Sequence, residues 1–422
     1  MYDRTYQMTL APDSWKMYAE GISPSLRKAI AAYDINRYTN RVQEYCVEHE
    51  ISIPPWRNAR EEELLAFHAH VLRAVRELDL EVDENVRQAL GWGIANRIRG
   101  VGVLQPFLEE DGIEEIIVRN GFVQTERGGQ IFDEGNLETD DHFYRLSSRI
   151  ADMEGKELGA EEPQIKVGLP DGSRFTATIP PLSQKGTAIN IRRFALKRLT
   201  FNDLIAWGST DEETVDFLIK AATSMQVSVV FSGRPGAGKT TWLNAFSGYL
   251  PDYAQVSCVE TFEELQLQVP HVHHLVVPEG GNAMSDAINL TILRMRPDVL
   301  VIGEVVSTEA LEYIMSLNLG IVTHTTTHSH SASLALTRLE TLSRLSDIPL
   351  EERREVIGQG LGLVVHLDKE YSQDRRAYRR YMREVVAIKG VKDHKYDLEV
   401  LKQWTGDRFT PLKGGMELWR RG

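Results

Sequence analysis

The stretch Val227-Ser-Val-Val-Phe-Ser-Gly233-Arg-Pro-Gly-Ala-Gly238-Lys239-Thr240-Thr241-Trp-Leu-Asn-Ala-Phe246 decides the fold. Its first half, VSVVFSG, has the apolar, β-branched pattern of a buried strand, and TTWLNAF has that of a helix. Between them, Gly233 to Thr240 fits G-x-x-x-x-G-K-[ST] at every fixed position. The residue types follow from what the loop must hold. Glycines take backbone turns closed to side chains, so that main-chain amides can close around phosphate oxygens. The helix behind the loop aims its N-terminal N–H groups and dipole at the same anion. Lys239 neutralises charge on β and γ phosphates and serves catalysis as well as binding, while the Thr240 hydroxyl completes a magnesium shell. The candidate nucleotide contacts are therefore Gly233, Arg234, Pro235, Gly236, Ala237, Gly238, Lys239, Thr240 and Thr241, with ATP and Mg2+ as the implied cofactors.

Hydrolysis needs an acidic group to polarise the attacking water or hold the magnesium. Arg296-Pro-Asp-Val-Leu-Val-Ile-Gly-Glu304 offers one, because the apolar run VLVI delivers Glu304 at a strand's C-terminal edge, where ligands gather in parallel sheets. Glu304 is thus the expected water-orienting group and, through water, a magnesium ligand. Asp298 starts that strand, at the wrong end for catalysis, and reads as a turn or cap residue. A further candidate is Glu260, which follows the short apolar run VSCV; it reads equally as a solvated acid opening a helix. Histidines cluster twice, His271, His273 and His274 in PHVHH, and His324, His328 and His330 in THTTTHSHS. Metal binding, phosphate sensing by one imidazole and plain loop histidines are the three readings. No cysteine stands near either run in sequence and no acid is interleaved with them, which weighs against a metal.

Outward from this core, the 422 residues divide into three parts. Residues 1–100 read as a helical region: in EEELLAFHAHVLRAVREL, Leu64, Leu65, Phe67, Val71, Leu72 and Val75 recur at helical spacing after the break at Pro54-Pro55. Residues 101–195 read as a small mixed α/β domain, with IEEIIVRNG a strand closed by the turn dipeptide Asn120-Gly121, and GGQIFDEGN and LPDGSRFTATIPP in the same style. A short, partly basic connection, ALKRLT, leads into residues 196–422. There the strands VSVVFSG, VSCVE, DVLVIGE and GIVTHTT alternate with helical segments, which predicts a largely parallel sheet flanked by helices. The basic segment QDRRAYRRYMRE near the C-terminus is either a functional basic patch or the exposed face of an edge element.

Composition narrows the class. Hydrophobic residues make up 42% and charged residues 26%, as in a soluble globular chain. No apolar run approaches membrane-spanning length, and the first residues do not form a secretory signal, so direct membrane insertion is not expected. Cys46 and Cys258, the only cysteines, suit a reducing cytoplasm. A net charge of −13 argues against stable binding of nucleic acid.

With these motifs in hand, the chain resembles the secretion-superfamily ATPases of type II and type IV systems, and within them the CpaF-like branch associated with tight-adherence (Flp-type) pili. The resemblance runs from roughly Arg99 to Gly390. It rests on GVLQPFLEEDGIEEIIVRNG, LPDGSRFTATIPP followed by INIRRF, VETFEELQLQVPHV in the place of an acidic box, LRMRPDVLVIGEV as the Walker B segment, and THTTTHSHSASLALTRLETL as the histidine box. It implies a RecA-like P-loop NTPase domain preceded by a small α/β N-terminal domain and the helical region. It also implies a homo-hexameric ring in which N-terminal domains rock against ATPase domains, with Arg174, Arg192 and Arg193 at positions expected to reach the γ-phosphate. The motion would pass to an inner-membrane platform protein, which places the chain in the cytoplasm, peripheral to the membrane through partners, and makes it a motor for pilus or secretion assembly. Transfer in conjugation or type IV secretion, and an ATP-binding ring scaffold with weak hydrolysis, are the alternatives.

The chain departs from the branch near its site. The acidic box reads Glu260-Thr261-Phe262-Glu263-Glu264, with Thr where Asp is usual, and Val306 stands at an Arg position after the Walker B Glu. Gly320 leads to Ile321 rather than His, His328 keeps its place while His330 replaces Asn, and Gly168 replaces an Arg before LPDG. The phosphate-binding groups survive better than the sensors, so slow or partner-dependent hydrolysis is expected.

Overall fold

The computed structural model describes residues 35–415 apart from 57–58, 79, 81, 83, 194–198, 279, 346 and 374–376. The first third of the helical region, most of the ALKRLT connection and three residues of the basic C-terminal segment thus lie outside the described residues. The chain forms two compact units, Met1–Phe194 and Ala195–Gly422.

In the first unit, helices α1 (Ile35–Glu48), α2 (Glu61–Glu77) and α3 (Glu84–Ile98) pack on one another through Val42, Phe67, Val71, Val75, Leu90 and Ile94. Phe67, Val71 and Val75 sit four residues apart and so share a face of α2, whereas Leu65 points outward. A short α4 (Gln105–Glu109) leads to a six-stranded antiparallel sheet of β1 (Ile113–Arg119), β2 (Phe122–Arg127), β3 (Gln130–Asn136), β4 (Gln164–Gly168), β5 (Arg174–Thr178) and β6 (Ala188–Arg192). The strand order is β3-β2-β1-β6-β5-β4. Asn120 and Gly121 take φ of 48° and 82° between β1 and β2, the left-handed pair that a two-residue hairpin turn requires. Helix α5 (Asp140–Met153) buries Phe143, Leu146 and Ile150 with Ile116, Val118, Phe175 and Ile191 of the sheet. The helical part is tied to this layer by Arg149, whose Nη1 donates to the Ile98 carbonyl at 2.8 Å, and by Trp56, whose Nε1 donates to Glu154 at 3.0 Å.

The second unit contains α6 (Phe201–Ala206), α7 (Glu212–Ser224), β7 (Ser228–Gly233), α8 (Lys239–Ser247), β8 (Val256–Glu260), β9 (Val272–Val276), α9 (Ala283–Leu290), β10 (Val299–Ile302), α10 (Ala310–Asn318), β11 (Val322–His328), α11 (Ala332–Leu342), α12 (Leu350–Gly360), β12 (Leu361–Ser372), β13 (Ala377–Lys392) and β14 (Lys395–Gln403). They build an eight-stranded sheet in the order β14-β13-β12-β7-β11-β10-β8-β9, parallel from β12 to β9. β13 and β14 add on antiparallel. Every residue of β7, β8 and β10 is buried, because helices cover both faces. Phe201, Leu218, Trp242 and Phe246 of α6 to α8 close one face; Ile288, Tyr313, Leu336 and Ile357 of α9 to α12 close the other. The protein is therefore an α/β chain with a RecA-like P-loop domain. Because its central strands are parallel, they end on one edge of the sheet, and that edge collects Gly233, Glu260, Glu304 and His328.

Candidate nucleotide-binding site

The loop after β7 is shaped by its glycines. Gly236 and Gly238 take φ of 72° and 93°, conformations that a side chain would strain. A Cβ at Gly233 would run into the Leu367 carbonyl of the neighbouring strand β12. Gly238 caps α8, so Lys239 begins the helix and carries its ammonium back towards the ends of β10 and β11. The loop's outer turn, Arg234 to Gly236, is exposed, while Ala237 is buried. A backbone that no Cβ fits, a helix N-terminus and a buried lysine are what a polyphosphate with an oxygen-bound cation demands.

Lys239 meets two partners. Its Nζ lies 3.0 Å from His328 Nδ1 and 3.8 Å from Glu304 Oε1. His328 Nε2 lies 3.1 Å from the same Glu304 oxygen. Since an ammonium only donates, Nδ1 accepts, and the neutral ring carries its proton on Nε2, which lies close to the Glu304 oxygen but outside hydrogen-bond geometry. Burial lowers the His328 pKa and the Lys239 charge lowers it further, against the opposing pull of Glu304. The ring is therefore neutral at pH 7, and it spans a cation and a carboxylate in a single tautomer. Thr240 and Thr241 follow Lys239 on the first turn of α8, both half-buried.

Glu304 is presented by a braced segment. Val305 N donates to the Thr326 carbonyl at 2.9 Å, and the hydroxyls of Thr326 and Thr327 donate back to the carbonyls of Gly303 and Val305, each at 2.9 Å. Two threonines of THTTTH thus lock the Walker B turn onto β11. Asp298, at the other end of β10, accepts from Gln255 N at 2.9 Å and acts as a turn clamp.

Glu260 has different company. It is 3% exposed, and its carboxylate accepts from the amides of Glu264 at 3.0 Å and Leu265 at 3.1 Å and from His274 Nε2 at 2.6 Å. Burial raises its pKa, with His274 pulling the other way. The carboxylate is turned into its own loop and towards β9. Its Cβ also packs on Gly303, where an added Cβ would approach to 2.8 Å.

The histidine runs do not act as groups. Among the described residues neither run gathers three ligand atoms to itself. His271, His273 and His330 are exposed. His324 is fully buried on β11, edge-on to Phe246 at 4.9 Å with both ring nitrogens unpartnered, and burial takes its pKa to about 3.

Sequence reasoning missed the contribution of β12 and β13. Arg234 Nη2 pairs with Asp368 at 2.6 Å, and Arg380 Nε donates to the Gly236 carbonyl at 3.0 Å, so the exposed turn of the loop is held by strands more than 130 residues away. Arg380 belongs to the basic segment QDRRAYRRYMRE, whose charge hinted at a role without locating it. Its neighbour Arg379 stacks over Trp404 at 4.3 Å. The three remaining arginines of interest lie in the first unit. Arg174 on β5 and Arg192 on β6 are direct register partners. Arg193 donates to the carbonyls of Glu110 and Ile113, and burial lowers its pKa.

Residues 118–391 match the family described as type II/IV secretion system protein. The chain belongs to this family. It is 30% identical over 234 residues to an uncharacterized protein, MJ0781, of Methanocaldococcus jannaschii, an alignment that covers 52% of this chain and 32% of that much longer relative. It is 30% identical over 248 residues to the conjugal transfer protein TrbB of Rhizobium radiobacter, covering 58% of this chain and 73% of the relative. The type IV secretion system protein PtlH of Bordetella pertussis is 27% identical over 314 residues, 65% of this chain and 90% of its own length. The matched family span covers the P-loop, Glu260, Glu304 and His328, so the site and the family reading concern the same residues. No helix among the described residues is long and apolar enough to cross a membrane.

Proposed function

We propose that this chain is an ATP-hydrolysing motor that powers assembly of a pilus or a type II/IV secretion apparatus, within the CpaF-like branch. The observation that carries this reading is the meeting of Lys239, His328 and Glu304 beside the Gly233–Thr240 loop. ATP would lay its phosphates along the loop amides, with Lys239 against the β and γ groups. Thr240, and Glu304 through water, would hold magnesium, which would supply positive charge against the phosphates. Glu304 orients a water in line with the γ-phosphorus and takes its proton as the new P–O bond forms and the bond to the β-phosphate oxygen breaks. His328, neutral and beside Glu304, stands between that carboxylate and Lys239 and feels any change at either. Glu260 acts one strand away as a positioning residue under Gly303.

The relatives named for conjugal transfer and type IV secretion support a role in moving macromolecules. A homo-hexameric ring, Arg174, Arg192 and Arg193 reaching the γ-phosphate, and an inner-membrane platform protein as the receiver of the motion complete the proposal. The altered acidic box and Val306 favour slow or partner-dependent turnover. Phosphate release by the purified chain, measured colorimetrically beside Glu304→Gln and with the oligomer sized in the same buffer, tests it. The expected outcome is ATP binding in both proteins, with turnover in the variant lower by about 10²–10⁴-fold. Equal turnover in both would remove Glu304 from the mechanism, and a chain that stays monomeric with ATP would remove the ring.

A further inference from the structure

Strands β8 and β9 run parallel in a register that sets Cys258 directly beside His274. Residues two apart on a strand share a face, so Cys258 and Glu260 both flank His274. One thiol sulfur, one carboxylate oxygen and one imidazole nitrogen consequently lie within 4.8 Å of one another. Cys258 is fully buried, Glu260 nearly so, and the His274 side chain is 24% exposed on β9, the edge strand of the sheet.

We infer that Cys258, Glu260 and His274 form a binding site for a zinc-class divalent ion, distinct from the magnesium expected at Thr240. The donor set is the first argument. Thiolate, imidazole and carboxylate are the three ligand types that zinc takes, and three protein ligands with one open position make a recognised arrangement. Hard, oxygen-seeking magnesium has no use for the sulfur. Charge is the second argument, since two positive charges meet one thiolate and one carboxylate, so a buried ion would be neutralised at the site. The third is the surrounding support. The far oxygen of Glu260 is held by the amides of Glu264 and Leu265. That loop is tied in turn to α8 by Asn244, which accepts from Gln266 N at 2.8 Å and donates to the Glu264 carbonyl at 3.2 Å. Such outer contacts orient a ligating carboxylate.

The ion enters from the solvent side of His274. On binding, the Cys258 S–H bond is replaced by a metal–sulfur bond and its proton passes to solvent. His274 shifts to the tautomer protonated at Nδ1, which frees Nε2 to ligate. The 2.6 Å contact between His274 and Glu260 opens to about 3.3 Å, the spacing set by two tetrahedral bonds near 2 Å, through rotation of the exposed ring.

The test uses the full chain without nucleotide, titrated with Co2+ and then with Zn2+. The expected result is one Co2+ per chain with a thiolate-to-cobalt charge-transfer absorption in the near ultraviolet, removed when Zn2+ displaces it. Cys46→Ser should keep the band. Cys258→Ser should abolish it, and Cys258→Ser and His274→Gln should each weaken Zn2+ binding by about 100-fold or more. Absence of the band in the unaltered chain overturns the inference, whether or not any variant folds. So does a band that vanishes with Cys46→Ser, or Zn2+ affinity unchanged in His274→Gln.

Discussion

Glu304 and Glu260 end neighbouring strands of one sheet, and each follows a short apolar run; yet the two corners have little in common. At the β10 corner the carboxylate is half-buried and faces outward to a lysine and a neutral histidine that belong to the P-loop and to β11. At the β8 corner it is buried, satisfied by two amides and His274, and turned away from the loop. Strand-then-Glu is the same signal in both places. What differs is the strand next door: β10 has β11 and its threonine brace on one side, whereas β8 has only the edge strand β9 beyond it. A carboxylate left accessible beside fixed donors is available for chemistry. One whose acceptor sites are already filled serves position.

The contrast can be broken in several ways. The largest effect is expected from Lys239→Ala, which should weaken ATP binding by about 10²-fold or more in isothermal calorimetry, while Glu260→Gln leaves it within a few-fold. Comparable losses in the two variants would mean that both corners contact phosphate. Next, Glu304→Gln and Glu260→Gln should separate by kind. The first should suppress turnover with little change in urea midpoint. The second should lose about 1–3 kcal/mol of stability, because its amide and imidazole partners lose a charged acceptor, with turnover reduced by less than about tenfold. A turnover loss in Glu260→Gln as deep as that of Glu304→Gln would make Glu260 a second catalytic acid.

Gly303→Ala sharpens the link between the corners. Its Cβ would meet the Glu260 side chain at 2.8 Å, and an overpacked contact of this kind costs about 1–3 kcal/mol. If Glu260 positions the Walker B turn, Gly303→Ala combined with Glu260→Gly, which removes the contacting Cβ, should recover part of that loss in thermal melts. Simple additivity would show the two residues to be uncoupled.

The smallest effect concerns the strand bed beneath both corners. His324 has a folded pKa of about 3 against an ordinary 6.5, so the unfolded chain binds a proton that the folded chain refuses. Its contribution is complete above pH 6.5 and declines as pH falls towards 3, with a slope of about 1.4 kcal/mol per pH unit. His324→Leu should flatten the fall in urea-unfolding stability between pH 6.5 and 5 by about that slope. An unchanged slope would mean that another group supplies the acid sensitivity.

Much of this architecture is legible in the amino-acid sequence. The P-loop, the helical spacing in α2, the Asn120-Gly121 turn and the β/α alternation each lie within a few consecutive residues, where local backbone preference and periodicity speak directly. Glu304 is legible too, since a strand ending in Gly-Glu points its acid to the ligand edge whatever lies beside it. The histidine runs mislead because depth along β11 decides their roles: His324 and His328, four residues apart, share a face of the strand, but His324 lies in its buried middle against Phe246 while His328 ends it at the sheet edge. PHVHH lacks a sequence neighbour with which to bind metal, and parallel pairing to β8 supplies Cys258 and Glu260. Arg380 and Asp368 give no local sign of serving the P-loop.

The sequence by itself thus determined that a phosphate-binding loop sits between a buried strand and a helix in an α/β chain. Those features depend on neighbours along the chain, and their chemistry is complete within the Gly233–Thr240 segment. Only the tertiary structure decided which acid looks at the phosphates, which histidine stands between Lys239 and Glu304, and which distant strands hold the loop in shape. Those outcomes depend on strand order and register. Contacts across a sheet join residues tens to more than a hundred positions apart, and no local pattern encodes which of them become neighbours.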